Sequence, residues 1–196
     1  MPPKKNKLPD GWFNCPKYGV LIQNKFMPLK TPLSKNFDTK LPPENRFYPQ
    51  DIFNVAKSKG IRFGLWIDLT NTDRYYSSHE IFDLDCSYKK LACRGAGELP
   101  SRPYVNTFIN LIDSYIKENP NDCIAIHCTH GFNRTGFLLV SFFVERLKIP
   151  VRDAIELFAS CRPPGIYRHE YIMELCKRYG SLADVPERPS TPPWKI

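Results

Sequence analysis

The chain has 196 residues, 42% of them apolar, which is enough to close one hydrophobic core. Its 28 Lys and Arg outnumber 20 Asp and Glu, and the resulting charge of +8 suits a polyanionic partner. Seven cysteines without framework spacing, no signal-peptide core and no apolar run of about eighteen residues argue against a secreted disulfide scaffold and a membrane span, so a soluble intracellular protein is expected.

Residues 1–39, rich in Pro, Lys and Asn, read as an irregular arm pinned to the core by Trp12, Phe13, Phe26 and Leu29. Lys4, Lys5 and Lys7 form a short basic run there that fits a nuclear location. Residues 49–58 predict a short helix stopped by Gly60. Residues 62–69 and 88–93 read as strands. Over 105–118, Phe108, Ile109, Ile112, Tyr115 and Ile116 have the spacing of an amphipathic helix. The run Cys123-Ile124-Ala125-Ile126 predicts a buried strand, and Phe137-Leu138-Leu139-Val140-Ser141-Phe142-Phe143-Val144 a buried helix. Residues 151–160 and 170–179 predict two more amphipathic helices, and from Ala183 onward the Pro-rich chain reads as an extended linker. This alternation predicts an α/β fold, a mostly parallel twisted sheet flanked by helices, with a ligand site at the carboxyl end of a strand.

That end is occupied by His127-Cys128-Thr129-His130-Gly131-Phe132-Asn133-Arg134-Thr135-Gly136. Between a strand and a helix start, such a loop turns unpaired N–H groups and the positive helix end inward and cradles an anion. Thr129, His130, Gly131, Phe132 and Asn133 are therefore candidate phosphate-binding residues, closed by the planar fork of Arg134. Cys128 sits at the mouth. A thiol pKa of about 8.5 falls to roughly 3.5–7.5 near helix N-termini and cations, so Cys128 is the candidate nucleophile and a cysteinyl-phosphate the candidate intermediate. Thr135 is placed to donate to the sulfur and help it leave, and His127 to orient the loop. A core hydrophobe is the plainer use of a lone cysteine, but a buried anion cradle around it favours catalysis. No Cys or His pair has zinc spacing, and no metal or other cofactor is expected.

The loop resembles that of the cysteine-phosphatase superfamily, whose signature is His-Cys, five residues, Arg and Ser/Thr. With Phe132-Asn133 inside it, and with Trp12-Phe13-Asn14-Cys15-Pro16, Pro28-Leu29-Lys30-Thr31, Glu44-Asn45-Arg46-Phe47, Asp68-Leu69-Thr70-Asn71-Thr72 and Arg162-Pro163-Pro164-Gly165-Ile166-Tyr167, the chain is similar to the RNA 5′-triphosphatase domain of metazoan mRNA capping enzymes. The resemblance implies a dual-specificity-like phosphatase domain over 40–182, an arm over 1–39, and a linker over 183–196 that in the family leads to a guanylyltransferase domain. It implies removal of the γ-phosphate from 5′-triphosphate RNA. The implied partners are that RNA, an RNA polymerase and the linked domain, with no membrane and a monomeric chain. A stand-alone RNA tri- or diphosphatase, a protein or phosphoinositide phosphatase and a non-catalytic phospho-end binder are the rivals.

Related protein phosphatases carry an aspartate roughly thirty residues before the nucleophile, to protonate a poor leaving group. Residues 93–100 contain none, which costs little if a diphosphate departs; Glu98 is either a substitute acid or a solvated loop carboxylate. Asp68, ending an apolar strand, is expected on the side of the sheet that carries the loop, orienting Arg134 or a water, or else capping a turn with Thr70 and Asn71. The resemblance to dual-specificity phosphatases implies that Arg162 contacts substrate phosphate. Arg94 and Lys90 are weaker candidates for the β- and γ-phosphates or the RNA backbone.

Overall fold

Strands form where apolar, β-branched and aromatic residues run together. In the computed structural model, which describes residues 7–95, 97–187 and 189–195, these are β1 (Phe26–Leu29), β2 (Phe63–Asp68), β3 (Ser87–Lys90) and β4 (Cys123–His127). All pair in parallel in the order β1-β4-β2-β3. The helices are α1 (Pro49–Ser58), α2 (His79–Phe82), α3 (Arg102–Glu118), α4 (Asn133–Leu147), α5 (Val151–Cys161) and α6 (His169–Tyr179). Thus the α/β sheet flanked by helices is as expected. Lys4 and Lys5 of the basic run lie outside the described residues.

Two elements differ from the sequence reading. Strand β1 lies inside the stretch read as irregular, because a four-residue strand containing Pro28 has too short a pattern to show; proline is tolerated there because β1 is a sheet edge. Helix α2 has four residues, too few for a helical period.

Side-chain alternation divides the sheet into two faces. Phe26, Leu65, Ile67, Ile124 and Ile126 pack with α3, α4, α5 and α6. Met27, Leu29, Trp66, Cys123 and Ala125 pack with α1 and the N-terminal arm. Helix α4 is buried from Thr135 to Phe143, so it is apolar nearly all round, and it packs against α3, α5 and α6. Asp68 and His127, paired at the ends of β2 and β4, follow Trp66 and Ala125 onto the arm-side face.

Trp12 anchors the arm. It is fully buried, and its indole N–H donates to the Thr31 carbonyl at 2.8 Å. Lys30 lies 3.6 Å from the centre of that ring and donates to the carbonyls of Trp12 at 3.1 Å and Cys15 at 2.9 Å. Phe13, expected as a second anchor, is 40% exposed. The stretch read as an extended linker folds back instead: it has turns at Leu182–Asp184 and Pro193–Lys195, and Trp194 packs on His130, Phe132 and Tyr167. Trp12→Ala is expected to cost about 3–5 kcal/mol in urea unfolding, from the lost aromatic burial. Phe13→Ala should stay within about 0.5 kcal/mol, and equal losses would mean that Trp12 does not anchor the arm.

Candidate active site

The loop from Cys128 to Asn133 joins β4 to α4. Gly131 has φ +75° and presses against the end of β1, where an added Cβ would lie 2.1 Å from the Leu29 carbonyl oxygen. Only glycine meets both demands. Its N–H points at the Cys128 sulfur, 3.3 Å away. Phe132 caps α4 without a side-chain hydrogen bond, which leaves the first-turn N–H groups for an anion. Its ring is buried against Tyr167 and Trp194, so Phe132 offers the cradle backbone only. Asn133 Oδ1 accepts from the N–H groups of Tyr167 and Arg168, both at 3.0 Å, and ties the loop to the segment before α6.

Arg134 is aimed before any ligand arrives. Its Nη1 donates to the carbonyls of Cys93 at 2.7 Å and Leu69 at 3.3 Å, and its Nη2 to Thr129 Oγ1 at 2.9 Å. Burial pushes the Cys128 thiol up. The Arg134 charge, the Thr135 hydroxyl and the N–H groups of Thr135 and His130 outweigh it, and the net shift is downward. The Thr135 hydroxyl is buried without a hydrogen-bond partner, so it is free to donate to that sulfur. The candidate nucleophile, the arginine, the threonine and the loop are therefore assembled at one point.

Asp68 is not. Its Oδ1 accepts from Thr70 N and Oγ1, both at 2.7 Å, and its Oδ2 from Tyr88 at 2.9 Å and Lys90 at 3.0 Å. The two-residue period places it on the arm-side face, whereas Arg134 rises from α4 on the other, so Asp68 meets neither Arg134 nor the cavity. Its Oδ1 lies 3.7 Å from His127 Nε2, and its Oδ2 also accepts from the Tyr76 hydroxyl at 3.1 Å. Burial lowers the His127 pKa further than Asp68 raises it, so the ring is neutral. Its Nδ1 faces the Cys128 carbonyl at 3.1 Å, and its Nε2 faces the Tyr76 hydroxyl, 2.6 Å away. Lys90 is held by Asp68 and Asp73 and is likewise away from the phosphate loop.

Arg162, expected on substrate phosphate, is 1% exposed and lies behind the loop. It donates to the carbonyls of Pro16 at 2.7 Å and His130 at 3.0 Å and covers the Phe132 ring at 4.3 Å. A trans peptide sets its C=O and N–H on opposite sides. By holding the His130 carbonyl outward, Arg162 turns the Gly131 N–H inward to the sulfur. Arg94 and Glu98 are exposed and lie 3.8 Å from each other, and neither borders the cavity.

The cavity over Cys128 holds about 610 Å³. Besides Arg134, its cations are Lys7, Arg74, Arg168 and Lys195. Its two carboxylates among the described residues are Asp10, 3.2 Å from Lys7, and Glu170, 2.6 Å from Arg168. Sequence reasoning missed these four cations. Arg168 directly follows a matching block and was within reach; Lys7 belongs to the basic run read as a tail, and Lys195 comes from a terminal segment with no local pattern.

The thiol shifts predict selective alkylation. Burial pushes Cys15 to about 11 and Cys86 to about 12, whereas Cys128 is pulled down. Below the ordinary thiol pKa of about 8.5, iodoacetamide should therefore modify Cys128 before Cys15 and Cys86, with a rate that rises with pH and levels off early. Thr135→Ala should move that midpoint upward; peptide mapping that finds Cys128 titrating no lower than a free thiol would contradict this electrostatic account.

Comparison with known proteins gives the family and the fold. The family model described as dual specificity phosphatase, catalytic domain, matches residues 48–180. The mRNA-capping enzyme of Danio rerio is 44% identical over 186 residues, 95% of this chain and 31% of that protein. The RNA/RNP complex-1-interacting phosphatase of Mus musculus is 38% identical over 184 residues, 91% of this chain and 57% of that protein. The chain thus spans less than a third of the capping enzyme and little over half of the phosphatase. The crystal structure of Tk-PTP in the active form superposes with a TM-score of 0.63 at 17% identity, covering 84% of this chain and 96% of that one, which shows a common fold. By its matched catalytic domain, this chain belongs to the dual specificity phosphatase family.

Proposed function

We propose that the chain is an RNA 5′-triphosphatase that removes the γ-phosphate of a 5′-triphosphate end, the first step of mRNA capping. The observation that carries this reading is the wall of the cavity: basic around Cys128, with each of its two carboxylates paired to a cation. A protein phosphatase must protonate a departing alkoxide or phenoxide. Here Asp68 is turned away, Glu98 lies outside, and the two carboxylates that line the cavity among the described residues, Asp10 and Glu170, are each paired to a cation. A diphosphate leaves as a weak base and needs no acid. The RNA in the printed names of both relatives supports the same substrate class. A linked guanylyltransferase domain, an RNA polymerase partner and a nuclear location accompany the proposal.

In the first step the Cys128 thiolate attacks the γ-phosphorus in line, an S–P bond forms, and the bond to the β–γ bridging oxygen breaks. The loop N–H groups and Arg134 hold the three equatorial oxygens, so stabilisation is electrostatic and already in place. Water then attacks the phosphorus, the S–P bond breaks, and Thr135 donates to the returning thiolate. Asp68, Tyr76 and His127 fix the strand end that carries the sulfur. Arg162 keeps the loop amide turned inward.

The test follows γ- and β-labelled 5′-triphosphate RNA. Release of the γ label with the β label retained is expected, unaffected by EDTA and abolished in Cys128→Ser. Arg134→Lys should lose activity on the order of a hundred- to a thousand-fold, because a point charge replaces a two-pronged donor. Glu98→Gln should keep most of it. Release of both labels would favour a tri- and diphosphatase, and preference for a phosphopeptide would return the chain to the protein phosphatases.

A further inference from the structure

Residues 189–195 have no role in the bond-making steps above, yet Thr191 and Lys195 border the cavity that holds Cys128. Trp194 stacks on His130 of the phosphate loop at 5.3 Å, lies 5.3 Å from Phe132, and meets Tyr167 edge-on at 5.8 Å. These are separations at which aromatic rings attract. Pro192 is buried, and the Lys195 N–H donates to its carbonyl at 2.8 Å, closing the turn. On its other side the segment rests on the arm: a Cβ added to Gly11 would lie 2.7 Å from the Trp194 carbonyl oxygen and 3.4 Å from Lys195 Cα. Thr191 and an exposed Lys195 are thereby presented to the cavity, along with Lys7 from the arm. A spacer has no need to pack an indole on the catalytic loop and set a cation at its rim.

We propose that residues 191–195 are a substrate strap: Trp194 pins the segment to the phosphate loop, and Lys195, with Lys7, holds the phosphodiester backbone of an RNA whose 5′ end lies on Cys128. This rests on the triphosphatase reading and adds what recognises the chain beyond the triphosphate. The chemistry suits the task. An exposed lysine is a mobile point charge that neutralises a backbone phosphate without selecting a base. Such a strap tightens the grip on RNA relative to a free nucleotide and leaves the chemical step unchanged.

The test compares γ-phosphate release by the full chain, Lys195→Gln and Trp194→Ala on a short 5′-triphosphate RNA and on a nucleoside triphosphate, over a range of salt. Lys195→Gln alters an exposed side chain and is expected to raise KM for RNA several-fold, with kcat retained and a smaller rise for the nucleotide. Losing one contact to a single strand should reduce the slope of log KM against log salt by about 0.7. Trp194→Ala should raise the RNA KM at least as much, and Trp194→Phe should restore it. An unchanged KM and salt slope in Lys195→Gln overturns the strap, as does a raised kcat in Trp194→Ala, which would make the segment a lid. If the unaltered chain releases no γ-phosphate, the functional reading fails instead. Retention of the same RNA on filters by Cys128→Ser, with and without Lys195→Gln, then still decides the strap: loss of retention supports it and equal retention overturns it.

Discussion

A buried sulfur can carry a negative charge only where its lost hydration is offset, and that balance governs the rest of this structure. Burial, the largest cause, drives the thiols of Cys15 and Cys86 up to about 11 and about 12, while Cys128, also buried, is driven down. The difference lies in the Arg134 charge, the Thr135 hydroxyl and the amides of the loop. In the proposed reaction the same groups hold phosphoryl oxygens. What stabilises the nucleophile therefore also stabilises the transferring group, and neither has to reorganise during the reaction.

That arrangement depends on bracing from outside the loop. Gly131 fits flush on the end of β1, Asn133 ties the start of α4 to the segment before α6, and Arg162 fixes the direction of one peptide plane. Charges are sorted by the sheet. The Asp68 carboxylate is taken up by Thr70, Tyr88 and Lys90 on one face, and the cations of the cavity stand clear of it. A carboxylate beside Cys128 would compete for Arg134 and repel a phosphate. Lys30 and Arg162, both buried, instead spend their charge on carbonyls and on the rings of Trp12 and Phe132.

Much of the fold was legible in the sequence. Helices α1, α3, α5 and α6 follow from their apolar spacing, and the strand–loop–helix around Cys128 from its two apolar runs. Strand β1 and helix α2 were hidden because four residues are shorter than the pattern that reveals them. For Asp68 the turn cap with Thr70 is the reading that the structure bears out, and the contact with Arg134 fails for a subtler reason. The alternation of Asp68 with Trp66 was visible, but the face it shares with His127 follows from the pairing of β2 with β4. The resemblance implies a phosphate contact for Arg162, whereas the structure sets it behind the loop; an arginine at this place can hold a substrate or hold the loop, and sequence does not separate the two.

By itself the sequence determined the loop: its cysteine, its arginine, its threonine and the glycine that lets it turn. They lie within ten consecutive residues, and a strand, a turn and a helix start aim them by local geometry alone. Tertiary structure decided the rest of the cavity: which face receives Asp68, which arginine reaches the pocket and which one supports it, and the return of Lys7 and Lys195 to its rim. Those outcomes depend on contacts between residues far apart in the chain, and a local pattern carries no record of them.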